Sequence, residues 1–173
     1  MRLRMVLAIV VTLGGCGLAS PPTYQGFATN ACDAFTAMFR VIGNPDAGTD
    51  SEFVRALNET VRSGNEAQAG TLANEILAEL ERGRRSAAAA STWQPGAAAM
   101  FQLDRVLVAY EAMVTAKVGQ AARDVTAQNA ANAFGAAGGP AAWDAMMAAA
   151  QDVIAARPAD LPPYECAAVP INW

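Results

Sequence analysis

The chain has 173 residues, 53% of them hydrophobic and 16% charged, with 16 acidic side chains against 12 basic ones and no histidine. Such a length suits one domain that buries about 70% of the surface its unfolded chain would expose. The acidic balance and the scarcity of lysine, which occurs only as Lys117, speak against nucleic acid and against electrostatic attachment to anionic lipid, since both need clustered cations.

The first residues have the anatomy of an export signal. Arg2 and Arg4 form a basic start, residues 5–13 are apolar, and small residues precede Cys16. Residues 5–13 are far too few for a transmembrane anchor, which takes roughly 20 apolar residues. Leu13, Gly14, Gly15 and Cys16 form a pattern that resembles the lipobox of bacterial lipoproteins. That resemblance implies a diacylglyceryl thioether on Cys16, removal of residues 1–15 and often N-acylation of the new amino terminus. The expected organisation is a signal peptide over residues 1–15, a lipidated cysteine and tether over 16–26, and one helical domain over 27–173. Without Arg2 and Arg4 the basic count falls to 10 against 16 acidic residues, a net charge of −6. The expected place is the outer side of the cytoplasmic membrane, or the outer membrane where the organism has one, held by the lipid on Cys16; two acyl chains anchor stably where one does not.

With Cys16 assigned to lipid, Cys32 and Cys166 remain as a pair in an exported chain, which favours a disulfide over two buried free thiols. Closing a loop of that length stabilises by about 5 kcal/mol in the chain-entropy account.

Alanine abounds and apolar residues recur at helical spacing, so the fold class is all-α: an antiparallel bundle of four to five helices with a disulfide-tied, proline-rich C-terminal tail. Helix one is expected over residues 27–42 on the stripe Ala31, Cys32, Phe35, Met38, Phe39 and Ile42. Thr49 and Glu52 have the spacing of a capping box for helix two, which carries Phe53, Leu57 and Val61. Ser63 and Gly64 break or bend it, and Asn65 with Gln68 restarts it. Pro95 opens a third helix, expected to be the longest, which carries apolar residues from Phe101 to Val125 and bends at Gly119. Gly135, Gly138 and Gly139 close that helix, and Pro140 opens a fourth that stops before Pro158. Helix lengths allow the fourth helix to descend beside the first and bring its foot near Cys32.

With Cys16, Cys32, Pro95 and Cys166 in these places, the chain resembles the small alanine-rich helical lipoproteins of actinobacterial type. That group implies a helical fold and a membrane anchor but no particular activity. Residues 167–173, which follow the last cysteine, depart from its pattern.

Side chains that could carry chemistry are few. Lacking histidine, the chain lacks the commonest general base and the usual zinc, copper or haem ligand. Glu75 with Glu79, and Glu81 with Arg85, read as solvated helix faces rather than catalytic pairs. Met38, Met100, Met113, Met146 and Met147 could offer thioethers to Cu(I), but they fall on or beside apolar stripes and read as core. No cofactor, metal or catalytic residue is assigned, and an enzyme is not expected. Gln128 and Asn132 extend the inward stripe of helix three with amides; they line a polar site near Phe134, or the helix has simply run past the bundle into water. Trp143 and Trp173 read as packing residues.

The functional expectation is a lipid-anchored, non-enzymatic interaction or structural module of the cell envelope, with an envelope protein as partner. Its surface is expected beside Phe101 and Tyr110, with Gln128, Asn132 and Phe134 next in line. The alternative is a carrier of a small apolar ligand within the bundle, which calls for a cavity of about 300 Å³ or more.

Overall fold

The computed structural model describes residues 22–44, 49–118 and 127–166. Six helices and one small hairpin follow in order: α1 (Tyr24–Ile42), β1 (Gly43–Asn44), β2 (Thr49–Asp50), α2 (Glu52–Arg62), α3 (Glu66–Ala90), α4 (Gln94–Val118), α5 (Ala127–Ala136) and α6 (Gly139–Ala156). The fold is all-α, as the spacing predicts. The expected lipid site Cys16, the bend at Gly119, Val125 and Trp173 lie outside the described residues. The single helix three expected to reach Gly135 is instead two helices, α4 and α5, since Phe134 meets Tyr110 at 4.6 Å where 24 residues of one helix would set them about 36 Å apart.

Local capping explains where the helices begin. α1 starts three residues earlier than its apolar stripe suggests, because the Thr23 hydroxyl accepts the Gly26 N–H at 3.1 Å. Residues 24–26 therefore belong to the fold rather than to a tether, and Tyr24 is buried against Trp93, their rings 5.7 Å apart. The expected Thr49 cap is not used. Thr49 and Asp50 pair back with Asn44 and Gly43, and the next residue, Ser51, caps α2 by accepting the Val54 N–H at 3.0 Å. The same hydroxyl donates to the Val41 carbonyl, fastening the start of α2 to the end of α1. At Asn65 the expected cap forms, its side chain accepting the Gln68 N–H at 3.2 Å. Gly64, with φ of 73°, supplies the left-handed residue that turns α2 into α3. α6 ends at Ala156 because Arg157, which precedes Pro158, is extended.

The helices stack in the order α1, α3, α4, α6. Gly83 of α3 lies against Ala34 and Ala37 of α1, and Arg40 reaches Glu79, so α1 and α3 run antiparallel. Arg84 reaches Asp104 and Glu111, while Ala88 and Ser91 further along α3 lie with Met100 and Phe101 nearer the start of α4, so α4 is antiparallel to α3 in turn. α6 packs mainly on α4, not beside α1 as helix lengths alone suggest. It is the tail after α6 that returns to α1: Cys166 is buried and bonded to Cys32, with Cα atoms 5.5 Å apart. Leu161 and Tyr164 of the same tail pack on the core. That core is continuous and includes Phe27, Phe35, Met38, Ile76, Leu80, Met100, Leu103, Leu107 and Met146. Each such side chain contributes about 1.5–3 kcal/mol by leaving water. Met38, Met100 and Met146 are core residues as read from their stripe, while Met147 is 48% exposed.

Two glycines of the helices should respond oppositely to a methyl group. A Cβ on Gly96 would stand 2.1 Å from the Phe27 ring, whereas one on Gly70 meets nothing within 4 Å. Gly96→Ala should cost about 1–3 kcal/mol, and Gly70→Ala should gain about 0.5–1 kcal/mol, both read from urea midpoints. For the disulfide, neither Cys32 nor Cys166 should react with a thiol reagent before reduction. The double variant Cys32→Ala/Cys166→Ala should lose up to about 5 kcal/mol, with limited proteolysis cutting the tail before the helices.

Candidate functional site

Nine residues separate Phe101 from Tyr110, which is two and a half helical turns, so on α4 they face about half a turn apart. The structure accordingly places them on different surfaces. Phe101 is 60% exposed and forms one wall of a hollow of about 230 Å³ between α3 and α4, with Ala87, Ala88, Met100 and Asp104 around it. Val108, seven residues on and on the same face, is also exposed. Tyr110 is half-buried and meets the Phe134 ring of α5 at 4.6 Å between centroids. The tip of the Phe134 ring lies against Gly139, where a Cβ would stand 2.3 Å from it. Asn132 is exposed on α5; Gln128 belongs to the same helix, its side chain outside the described residues. The four expected surface residues whose side chains are described thus divide into an exposed aromatic beside a groove and a closed aromatic pair near an exposed amide.

The groove is held by charge. The Arg84 Nε donates to Asp104 at 2.8 Å, and its Nη1 lies 3.4 Å from Glu111 and 3.5 Å from Glu81. The Asp104 hydrogen bond, together with the nearby carboxylates, raises the guanidinium above its ordinary pKa. One cation facing three carboxylates on two helices fixes the register of α3 against α4. Of the pairs read as solvated faces, Glu81 meets Arg85 at 3.4 Å and Glu75 faces solvent, whereas the Glu79 side chain is only 15% exposed and is held by Arg82 and Arg40.

A second concavity arises where the chain doubles back after α1. It is a cleft of about 690 Å³, open to solvent, lined by Phe39, Phe53, Ala56 and Leu72 and rimmed by Arg40, Arg55, Asp50 and Glu52. No periodicity in the sequence announces it, because it depends on how α2 crosses the end of α1. α2 buries only Leu57 and Thr60, while Phe53 and Ala56 remain half-buried along the cleft. Nearby, the Lys117 ammonium donates to the Asn58 side chain at 2.6 Å and ties the end of α4 to α2. Burial lowers its pKa, and the proximity of Asp50 opposes that shift.

Among the described residues no group of three His, Cys, Asp or Glu side chains is placed to hold a metal ion. No helix among them is long and apolar enough to cross a membrane. Comparison with protein-family models, with curated proteins and with solved structures finds no match to this chain.

The closed aromatic pair has a measurable consequence. Burial raises the Tyr110 hydroxyl above its ordinary value, so between that value, about 10, and the higher folded value the unfolded state binds fewer protons. Stability then falls as pH rises through this interval. Lys117 has the opposite sign, since its lowered pKa costs stability at neutral pH and the cost fades as pH approaches the unfolded value. Tyr110→Phe should therefore lose less stability than the parent between pH 8 and pH 11, measured as urea midpoints; equal losses would mean that another group titrates.

Proposed function

We propose that this protein is a lipid-anchored module of the cell envelope that binds a partner protein through the Phe101 face of α4 and performs no chemistry of its own. One observation carries the reading: Phe101 is left 60% exposed beside a hollow between two helices whose register is fixed by Arg84. A large aromatic side chain gains most when it leaves water, and aromatic anchors set beside shallow hollows are typical centres of protein interfaces. Exposed Val108 extends the apolar strip, and Asp104 and Arg105 lie between the two residues on the same helix. Rigid placement lowers the ordering cost of binding, which makes a fixed groove a better partner surface than a loop.

The lipid part of the reading rests on Cys16 and the residues before it. An exported chain with lipid on Cys16 works where its partners are confined to the same membrane, so a modest interface suffices because anchoring raises effective concentration.

The test places a photo-crosslinking residue at position 101 in the native membrane, with position 151 on α6 as control, and determines the mass of the purified chain. Intact mass should show loss of residues 1–15 and lipid on Cys16. Position 101 should give one discrete crosslinked product that position 151 does not, and Phe101→Glu should weaken capture of the same species about tenfold or more. An unmodified Cys16 on membrane-bound protein would remove the anchor from the reading, and equal crosslinking from both positions would remove the surface.

A further inference from the structure

The cleft at the end of α1 is separate from the Phe101 groove and has its own chemistry. Its inner wall is apolar, formed by Phe39 of α1, Phe53 and Ala56 of α2, and Leu72 of α3. Phe39, Phe53 and Leu72 pack against the core yet stay only partly buried, so apolar surface remains that a compact fold would ordinarily cover. The volume, about 690 Å³, falls within the roughly 300–1,000 Å³ range of small-molecule sites.

Charge at the rim selects among ligands. Among the described residues no ion pair engages Arg55, and Arg40 holds Glu79 only at 3.7 Å, through an oxygen that Arg82 approaches more closely. Both guanidiniums are exposed at the cleft edge. The two acids there are already placed: Glu52 occupies the first turn of α2, where the helix dipole favours a carboxylate, and Asp50 lies within electrostatic reach of Lys117. Neither acid is in an ion pair among the described residues, but both have short side chains at the start of α2, whereas the two arginines carry long stems that can follow a head group seated on the apolar wall.

We propose that this cleft binds a single-chain amphiphile with an anionic head, the chain lying on Phe39, Phe53 and Leu72 and the head held by Arg40 and Arg55. A cleft of about 690 Å³ has room for one chain along its apolar wall and none for a bilayer surface, so the ligand is a free monomer rather than a membrane. The proposal stands apart from the Phe101 reading, and either can fail without the other.

The experiment uses the exported full chain with Cys16→Ser, so that no attached lipid competes, and compares decanoate, decanol and decyltrimethylammonium by calorimetry and by chemical-shift mapping below their micellar concentrations. Decanoate should bind saturably, shift resonances of Phe53 and Leu72, and bind about fivefold more tightly than decanol, as expected for exposed ion pairs. Arg40→Gln/Arg55→Gln, both surface changes, should bring decanoate down to the level of decanol and leave decanol unchanged. Leu72→Trp, which fills the cleft, should abolish binding of both while circular dichroism confirms the fold. If Leu72→Trp unfolds, the arginine pair decides. Absence of saturable binding, equal binding of the cationic probe, or decanoate affinity untouched in the arginine variant would overturn the proposal.

Discussion

Close approach of helices through small side chains is the constraint on which the rest of this structure depends. Where α3 meets α1, a Cβ on Gly83 would lie 3.1 Å from the Ala37 Cβ and 3.3 Å from the Ala34 carbonyl oxygen. Where α4 begins, Gly96 gives its place to the ring of Phe27. Backbones this close gain dispersion energy from many short contacts, but alanine contributes little apolar area for each residue ordered. Tyr24, Phe27 and Trp93 cluster at one end of the bundle and Phe39 and Phe53 lie at the other, while Phe35, Ile76, Leu80, Leu103 and Leu107 fill the middle beside these small residues.

A bundle packed in this way needs ties at its open edges. α1 is an outer helix whose main neighbour is α3, and α6 is an outer helix whose main neighbour is α4. The disulfide closes this open arrangement by joining the middle of α1 to the chain that leaves α6. Arg84 acts between α3 and α4, and Lys117 between α4 and α2. These polar ties are partly exposed and individually modest in energy. Their contribution is register, which apolar helix faces rich in alanine specify poorly because one small side chain resembles the next.

Much of this was legible in the sequence because its signals are local. Asn65 and Gln68, Pro140 after its glycines, and Pro158 each act through backbone geometry within a turn, and each marks a helix boundary in the fold. The cysteine pair was legible through chemistry rather than position. The Thr49 cap failed because Thr49 was drawn into pairing with Asn44, and Ser51, two residues later, had the same capping ability. The neighbour of α6 was beyond reach because ten residues of tail can span to Cys32 from more than one place. Grouping Phe101 with Tyr110 was an error that helical period alone could have prevented, since nine residues turn a side chain to the opposite face. The cleft depends on the angle between two helices joined by a hairpin, and nothing in a hydrophobic pattern encodes that angle.

The positions of the two candidate surfaces follow from the direction of the chain. Leu72 at the cleft and Ala88 at the groove lie sixteen residues apart on α3, about 24 Å along its axis. α1 begins beside Trp93 and Gly96, at the groove end. The six residues from Gly17 to Pro22 extend at most about 20 Å, so a lipid on Cys16 would keep the groove end near the headgroups and set the cleft on the far side. A partner for Phe101 is then best sought among proteins that present a surface close to the bilayer. A ligand for the cleft would arrive from the aqueous side, which accords with a site built for a monomeric amphiphile with a charged head rather than for a chain drawn directly from the membrane.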